Sequence, residues 1–80
     1  MTYAIEWEDG AVESLKRLPS WQDAARVARN VMEFARTGQG ELRRVGEGQE
    51  YRLYVRPYVV RMGIDTSARV IRVWTVFVRR

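Results

Sequence analysis

The segment YRLYVRPYVVRM, Tyr51 to Met62, sets three arginines and three tyrosines among apolar residues within twelve positions. The arginine guanidinium is a planar fork that meets a phosphate or carboxylate through two parallel hydrogen bonds and also stacks on aromatic rings. Tyrosine adds a ring for stacking and a phenol that carries a proton. Arg72, Trp74, Arg79 and Arg80 follow in the same half of the chain. Cations interleaved with aromatics suit single-stranded nucleic acid, guanidinium to phosphate and ring to base. The competing reading is a solvated sheet face, kept wet by arginine and covered by rings. The sequence contains no His and no Cys. Cys/His zinc sites, His-activated Ser or Cys nucleophiles and imidazole acid–base catalysis are therefore excluded. No cofactor and no metal are expected.

Charge supports the emphasis on this half. Residues 1–40 carry five Lys/Arg against six Asp/Glu, a balance of −1, whereas residues 41–80 carry nine Arg against four Asp/Glu, a balance of +5. The second half has no lysine. The asymmetry points to a polyanionic partner on one side of the molecule. Eighty residues make one domain, 1–80, with a modest core. No apolar run reaches the ~18 residues of a membrane span, and the N-terminus lacks a signal pattern, so a cytoplasmic location is expected.

The elements that must position these side chains follow from periodicity. Thr2–Glu8 alternates Tyr3, Ile5 and Trp7 with Ala4, Glu6 and Glu8, the pattern of a half-buried strand. Asp9 fits the N-cap of a helix whose stripe is Ala11, Leu15 and Leu18, stopped by Pro19. Ser20 and Asp23 form a capping-box-like pair opening a second helix, with Ala24, Ala28, Val31 and Ala35 as a small-residue stripe flanked by Val27 and Phe34. Thr37-Gly38-Gln39-Gly40 ends it. Strands are predicted at Leu42–Val45, Glu50–Val55, Tyr58–Asp65 and Arg69–Val78, with tight turns at Arg56-Pro57 and Thr66-Ser67-Ala68. The order β-α-α-β-β-β-β predicts an α+β fold: a small antiparallel sheet with a two-helix hairpin on one face and the other face open.

Side chains alternate across a strand. Tyr51, Leu53 and Val55 then face the core while Arg52, Tyr54 and Arg56 face outward. On the next strand Tyr58, Val60, Met62 and Ile64 oppose Val59, Arg61 and Asp65. On the last, Ile71, Val73, Thr75 and Phe77 alternate with Arg72, Trp74, Val76 and Val78. Assigning Arg72 and Trp74 outward avoids burying a guanidinium. The open face is thus expected to carry Arg52, Tyr54, Arg56, Arg61, Arg72 and Trp74, with Arg79 and Arg80 beside it.

The ordered series TYAIEW, AVESLKRLP, AARVARNVMEF and LRRVGEGQEYRLYVRPYVVRMGIDTSARVIRVWTVFVRR resembles the RelE/ParE superfamily of type II toxin–antitoxin toxins across essentially all 80 residues. The resemblance implies a toxin neutralised by a cognate antitoxin. RelE-like members are ribosome-dependent endoribonucleases that cut mRNA in the ribosomal A site; ParE-like members inhibit DNA gyrase; a third possibility is a catalytically weak member that mainly binds its antitoxin. Fold alone does not choose among these. In the RelE case the RNA 2′-OH attacks the adjacent phosphate, and guanidinium groups stabilise the charge that builds there. By position the resemblance implies Arg52 on the active face and Arg79 at the scissile phosphate, with Arg56 a further matching basic residue. Joined to the open-face reading, it makes Arg52, Arg61, Arg79 and Tyr54 the expected catalytic residues and Arg56, Arg72, Arg80, Tyr58 and Trp74 the expected RNA- or phosphate-binding ones. Arg61 stands two positions past the usual strand arginine, where this chain has Val59, a displacement of about 7 Å at strand rise. RelE carries a basic residue at the Tyr54 position and a catalytic tyrosine on a C-terminal helix. No counterpart of that tyrosine follows Arg80, which leaves Tyr54 or Tyr58 to act as acid or base. The implied partners are an antitoxin, and either ribosome and mRNA or gyrase.

Overall fold

In a computed structural model, which describes residues 2–79, Ser20 caps the longer helix as its sequence position suggests. Its side chain accepts a hydrogen bond from the Asp23 backbone N–H at 3.2 Å, and Gly38, in the left-handed conformation at φ 80°, closes the far end. The elements are β1 (Ala4–Trp7), α1 (Asp9–Lys16), α2 (Trp21–Thr37), β2 (Glu41–Arg44), β3 (Glu50–Val55), β4 (Tyr58–Asp65) and β5 (Val70–Val78). Asp9 is the first residue of α1 rather than its cap; Glu8 occupies the cap position without a side-chain bond. Arg80 lies outside the described residues, so its expected role has no structural counterpart here. Among the described residues no helix is long and apolar enough to cross a membrane.

The five strands form one sheet in the order β1-β5-β4-β3-β2. The expected antiparallel meander holds for β2 to β5, whereas β1 pairs in parallel with β5, from Ala4 opposite Val70 to Trp7 opposite Val73. The sheet is therefore mixed. The two helices carry the chain back across one face, so β1 covers what would otherwise be the free edge of the longest strand. Beyond the end of β1, α1 takes over that edge. A Cβ at Gly10 would stand 2.8 Å from the Trp74 carbonyl oxygen, so only glycine allows the approach, and Ser14 Oγ and Thr75 Oγ1 share a 2.9 Å hydrogen bond.

The core lies between the helices and one face of the sheet. Val27, Val31, Phe34 and Ala35 of α2 meet Leu53, Val55, Val60, Met62, Ile71 and Val73. Burial of each large aliphatic contributes about 1.5–3 kcal/mol relative to exposure. The inward stripe of α2 is rotated from the expected one: Val27 and Phe34 are buried, while Ala24 and Ala28 are half-buried. The last strand departs more. The register runs Arg61 opposite Thr75 and then Met62 opposite Val73, so Trp74 is an extra residue. This β-bulge inverts the alternation of β5 beyond it. Val76, expected outward, joins the core at 5% exposure; Thr75 and Phe77, expected inward, pair with Arg61 and Val59 of the open face.

Candidate nucleic-acid interface

On the face without helices, strand register assembles two rows. Glu41, Tyr54, Val59 and Phe77 are successive cross-strand partners along one; Arg43, Arg52, Arg61 and Thr75 make the next. Three arginines thus stand directly opposite one another on β2, β3 and β4. Like charges in that relation destabilise a sheet by roughly 0.2–1 kcal/mol per pair. The stem of Arg52 is packed down so far that its Nε is buried with no hydrogen-bond partner, and its guanidinium lies 5.8 Å from the centre of the Phe77 ring. A buried donor without a partner, in a row of like charges, is a structural cost of this arrangement.

Tyr54 is the centre of the first row. The guanidiniums of Arg43, Arg56 and Arg79 stand 5.6, 5.7 and 5.3 Å from its ring centre. Arg79 is brought there because its backbone N–H donates to the Pro57 carbonyl at 2.8 Å, which ties the end of β5 to the β3–β4 turn. Arg56 donates to both carboxylate oxygens of Glu41, at 2.8 and 3.4 Å. That hydrogen bond, helped by the charges of Arg56, Arg43 and Arg79 and opposed by desolvation, holds the Glu41 carboxyl below the usual carboxylate range, and it raises the Arg56 guanidinium in turn. Arg61 lies 5.6 Å from the Trp74 ring and donates to Glu50 at 2.9 Å. Trp74 in turn lies across Gly63, where a Cβ would stand 2.8 Å from its Cζ2. Among the described residues, Arg43, Arg52 and Arg79 have no carboxylate partner.

Of the residues singled out in the sequence, Arg52, Tyr54, Arg56, Arg61 and Arg79 meet on this face, with Trp74 beside Arg61. Arg72 shares the face but stands toward β1, bound to Glu6 at 3.1 Å. Tyr58 does not belong here. It is 3% exposed on the helix-covered side, where its hydroxyl donates to Asp23 Oδ2 at 2.6 Å and Arg26 lies 5.9 Å from its ring. Its alternation with Val59 already assigned it to the core; a role at phosphate requires the opposite face. The hydrogen bond to Asp23, followed by desolvation and the Asp23 charge, raises its phenol pKa above 10.0. Sequence reasoning missed Arg43, Glu41, Glu50 and Phe77. Arg43 follows the inward Leu42, so alternation marks it as outward; that it opposes Arg52 is a matter of register. No group of three or more Asp/Glu among the described residues is arranged to hold a metal ion.

No protein-family model matches the chain, and no curated protein matches it in sequence. Solved structures do match in fold. A chain of the RelE–RelB complex from the archaeon Pyrococcus horikoshii superposes with a TM-score of 0.81 at 20% identity, over 99% of this chain and 97% of that one. A chain of the toxin–antitoxin complex RelBE2 from Mycobacterium tuberculosis gives 0.79 at 18% identity, over 99% and 100%. The isolated Escherichia coli RelE toxin gives 0.79 at 16% identity, over 99% and 86%. The chain has the fold of these RelE toxin structures, the fold that the RelE/ParE resemblance implied.

Proposed function

We propose that this chain, folded as the RelE toxins are, is the toxin of a type II toxin–antitoxin pair and cuts mRNA on the ribosome. The observation that carries the reading is the arginine row Arg43–Arg52–Arg61 adjoining a tyrosine ringed by Arg43, Arg56 and Arg79. In the reaction the 2′-oxygen of one nucleotide bonds to the adjacent phosphorus and the P–O5′ bond breaks. The products are a 2′,3′-cyclic phosphate and a 5′-hydroxyl; a base takes the 2′ proton and an acid supplies the 5′ one. Negative charge on the phosphoryl oxygens is greatest in the transition state, where fixed guanidiniums are most effective. Arg52 and Arg79 are the assigned phosphate binders, Arg61 and Arg56 flank them, and Tyr54 is the phenol available to carry a proton. A neutralising antitoxin would present an acidic, amphipathic segment to this basic surface; antitoxin complexes are what several of the matching structures contain.

The test is primer extension on mRNA from a cell-free translation reaction, with ribosomes present or removed. Cleavage at defined codon positions that requires ribosomes is the expected result, lost in Arg79→Ala and Arg52→Ala with unchanged circular dichroism. Intact mRNA in every arm refutes the nuclease assignment. Inhibition of gyrase supercoiling by the same preparation would then reassign the arginines to protein or DNA contacts.

A further inference from the structure

The arginines of the open face fall into two classes. Arg43, Arg52 and Arg79 lack a carboxylate partner among the described residues, whereas Arg56 and Arg61 are each held by a glutamate, at 2.8 Å by Glu41 and 2.9 Å by Glu50, as Arg72 is by Glu6 further off toward β1. Neither pair is buried away from a ligand: side-chain exposure is 60% and 44% for Arg56 and Glu41, and 40% and 26% for Arg61 and Glu50. Pairs this exposed contribute little to folding. They also flank the unpaired trio at opposite ends. Glu41 opposes Tyr54, four residues along β3 from Glu50, a separation of about 13 Å at strand rise. No single phosphate reaches both.

We propose that Glu41 and Glu50 are built-in counterions, exchanged for RNA phosphates when a strand spans the face. The inference rests on the RNA reading above and adds a selectivity device to that site. A lone phosphate has the three unpaired arginines to itself and leaves both glutamates in place. A strand with several phosphates displaces both, gains Arg56 and Arg61, and spends part of that gain on releasing the carboxylates. Small anions are thereby kept from engaging the whole cationic face, and binding becomes steep in the number of phosphates presented. Each freed carboxylate also stays beside the bound strand, where its repulsion of the phosphates cancels part of the salt-dependent attraction.

That cancellation gives the test its readout. Binding of a labelled single-stranded hexanucleotide, 2′-O-methylated so that it cannot be cut, is measured by fluorescence anisotropy over a series of KCl concentrations. For single strands the logarithm of affinity falls with the logarithm of salt by about 0.7 per phosphate neutralised. Glu50→Gln and Glu41→Gln keep side-chain size and remove the competing charge. Each is expected to tighten binding about two- to five-fold at low salt, the equivalent of one exposed ion pair, and to steepen the salt slope by up to about 0.7, the share of one phosphate. Glu33→Gln removes the same charge from α2, where Glu33 binds Arg36 away from this face, and is expected to leave the slope unchanged. If the wild-type protein binds with a salt slope but both glutamine variants match it, the counterion role is overturned while the RNA reading stands. Equal steepening in all three variants also overturns it, because net charge alone then explains the effect. Absence of wild-type binding to the free strand, or binding insensitive to salt, overturns the counterion role alone, because the nuclease reading places the RNA on the ribosome and is decided by primer extension.

Discussion

Arg52→Met tests whether the cationic face is maintained against the stability of the fold. Arg52 stands between Arg43 and Arg61 across two strand pairs, and its Nε is buried without a partner. Each like-charge opposition costs roughly 0.2–1 kcal/mol, and an unpartnered buried donor about 1–3 kcal/mol. The contact with Phe77 at 5.8 Å offsets about 0.5–1 kcal/mol of this. Methionine keeps an unbranched apolar stem in the same groove. At the middle of these ranges the expected net gain is about 2 kcal/mol of unfolding free energy. For a domain of this size that raises Tm by roughly 8–16 °C. Urea denaturation and calorimetry measure the gain. Oligonucleotide binding, read in the same buffer, is expected to fall about ten-fold or more, the loss of a charged hydrogen bond. A variant less stable than the wild type would refute the cost assigned to this row. A variant more stable yet binding RNA equally would refute the assignment of Arg52 to phosphate.

Arg43→Ala is expected to reduce the salt slope of oligonucleotide binding by about 0.7 while circular dichroism is unchanged; an unaltered slope removes Arg43 from the interface. Gly63→Val drives a side chain into the indole of Trp74, where even a Cβ would stand 2.8 Å from Cζ2; overpacking of this kind costs about 1–3 kcal/mol, measurable by urea denaturation, and a variant of unchanged stability contradicts that packing. Tyr58→Phe is expected to lower stability but leave oligonucleotide binding intact, since the hydroxyl serves Asp23 under the helices. Because the folded state raises the Tyr58 pKa above 10.0, its contribution is complete below pH 10 and is lost as pH rises through the folded value; the alkaline loss of stability should therefore flatten in the variant.

The strands and helices were legible where local chemistry repeats at a fixed period. Ser20, Pro19 and Gly38 punctuate the helices by capping and backbone geometry alone, and Glu50–Val55 and Tyr58–Asp65 fall at the positions that alternation gave. Alternation also sorted Arg52, Tyr54 and Arg61 to one face and Tyr58 to the other. It failed on β5, because a single inserted residue at Trp74 reverses every side chain that follows, and both sets on that strand are apolar enough to hide the reversal. The assignment of Tyr58 to phosphate failed for a different reason: it came from a missing tyrosine in a resemblance and set aside the inward position that the periodicity had already implied.

By itself, then, the sequence determined the side-chain chemistry: guanidinium and phenol, no imidazole and no thiol, with the positive charge in the second half. It also determined which faces of the short strands must be buried, since burial follows residue type at period two. What only the tertiary structure decided is which of these groups meet. The parallel placement of β1, the opposition of Arg43 to Arg52, the pairing of Glu41 and Glu50 with particular arginines, and the return of Arg79 to Tyr54 all depend on strand register. Register is set by contacts between residues distant in the chain, through the packing of the whole sheet against its helices.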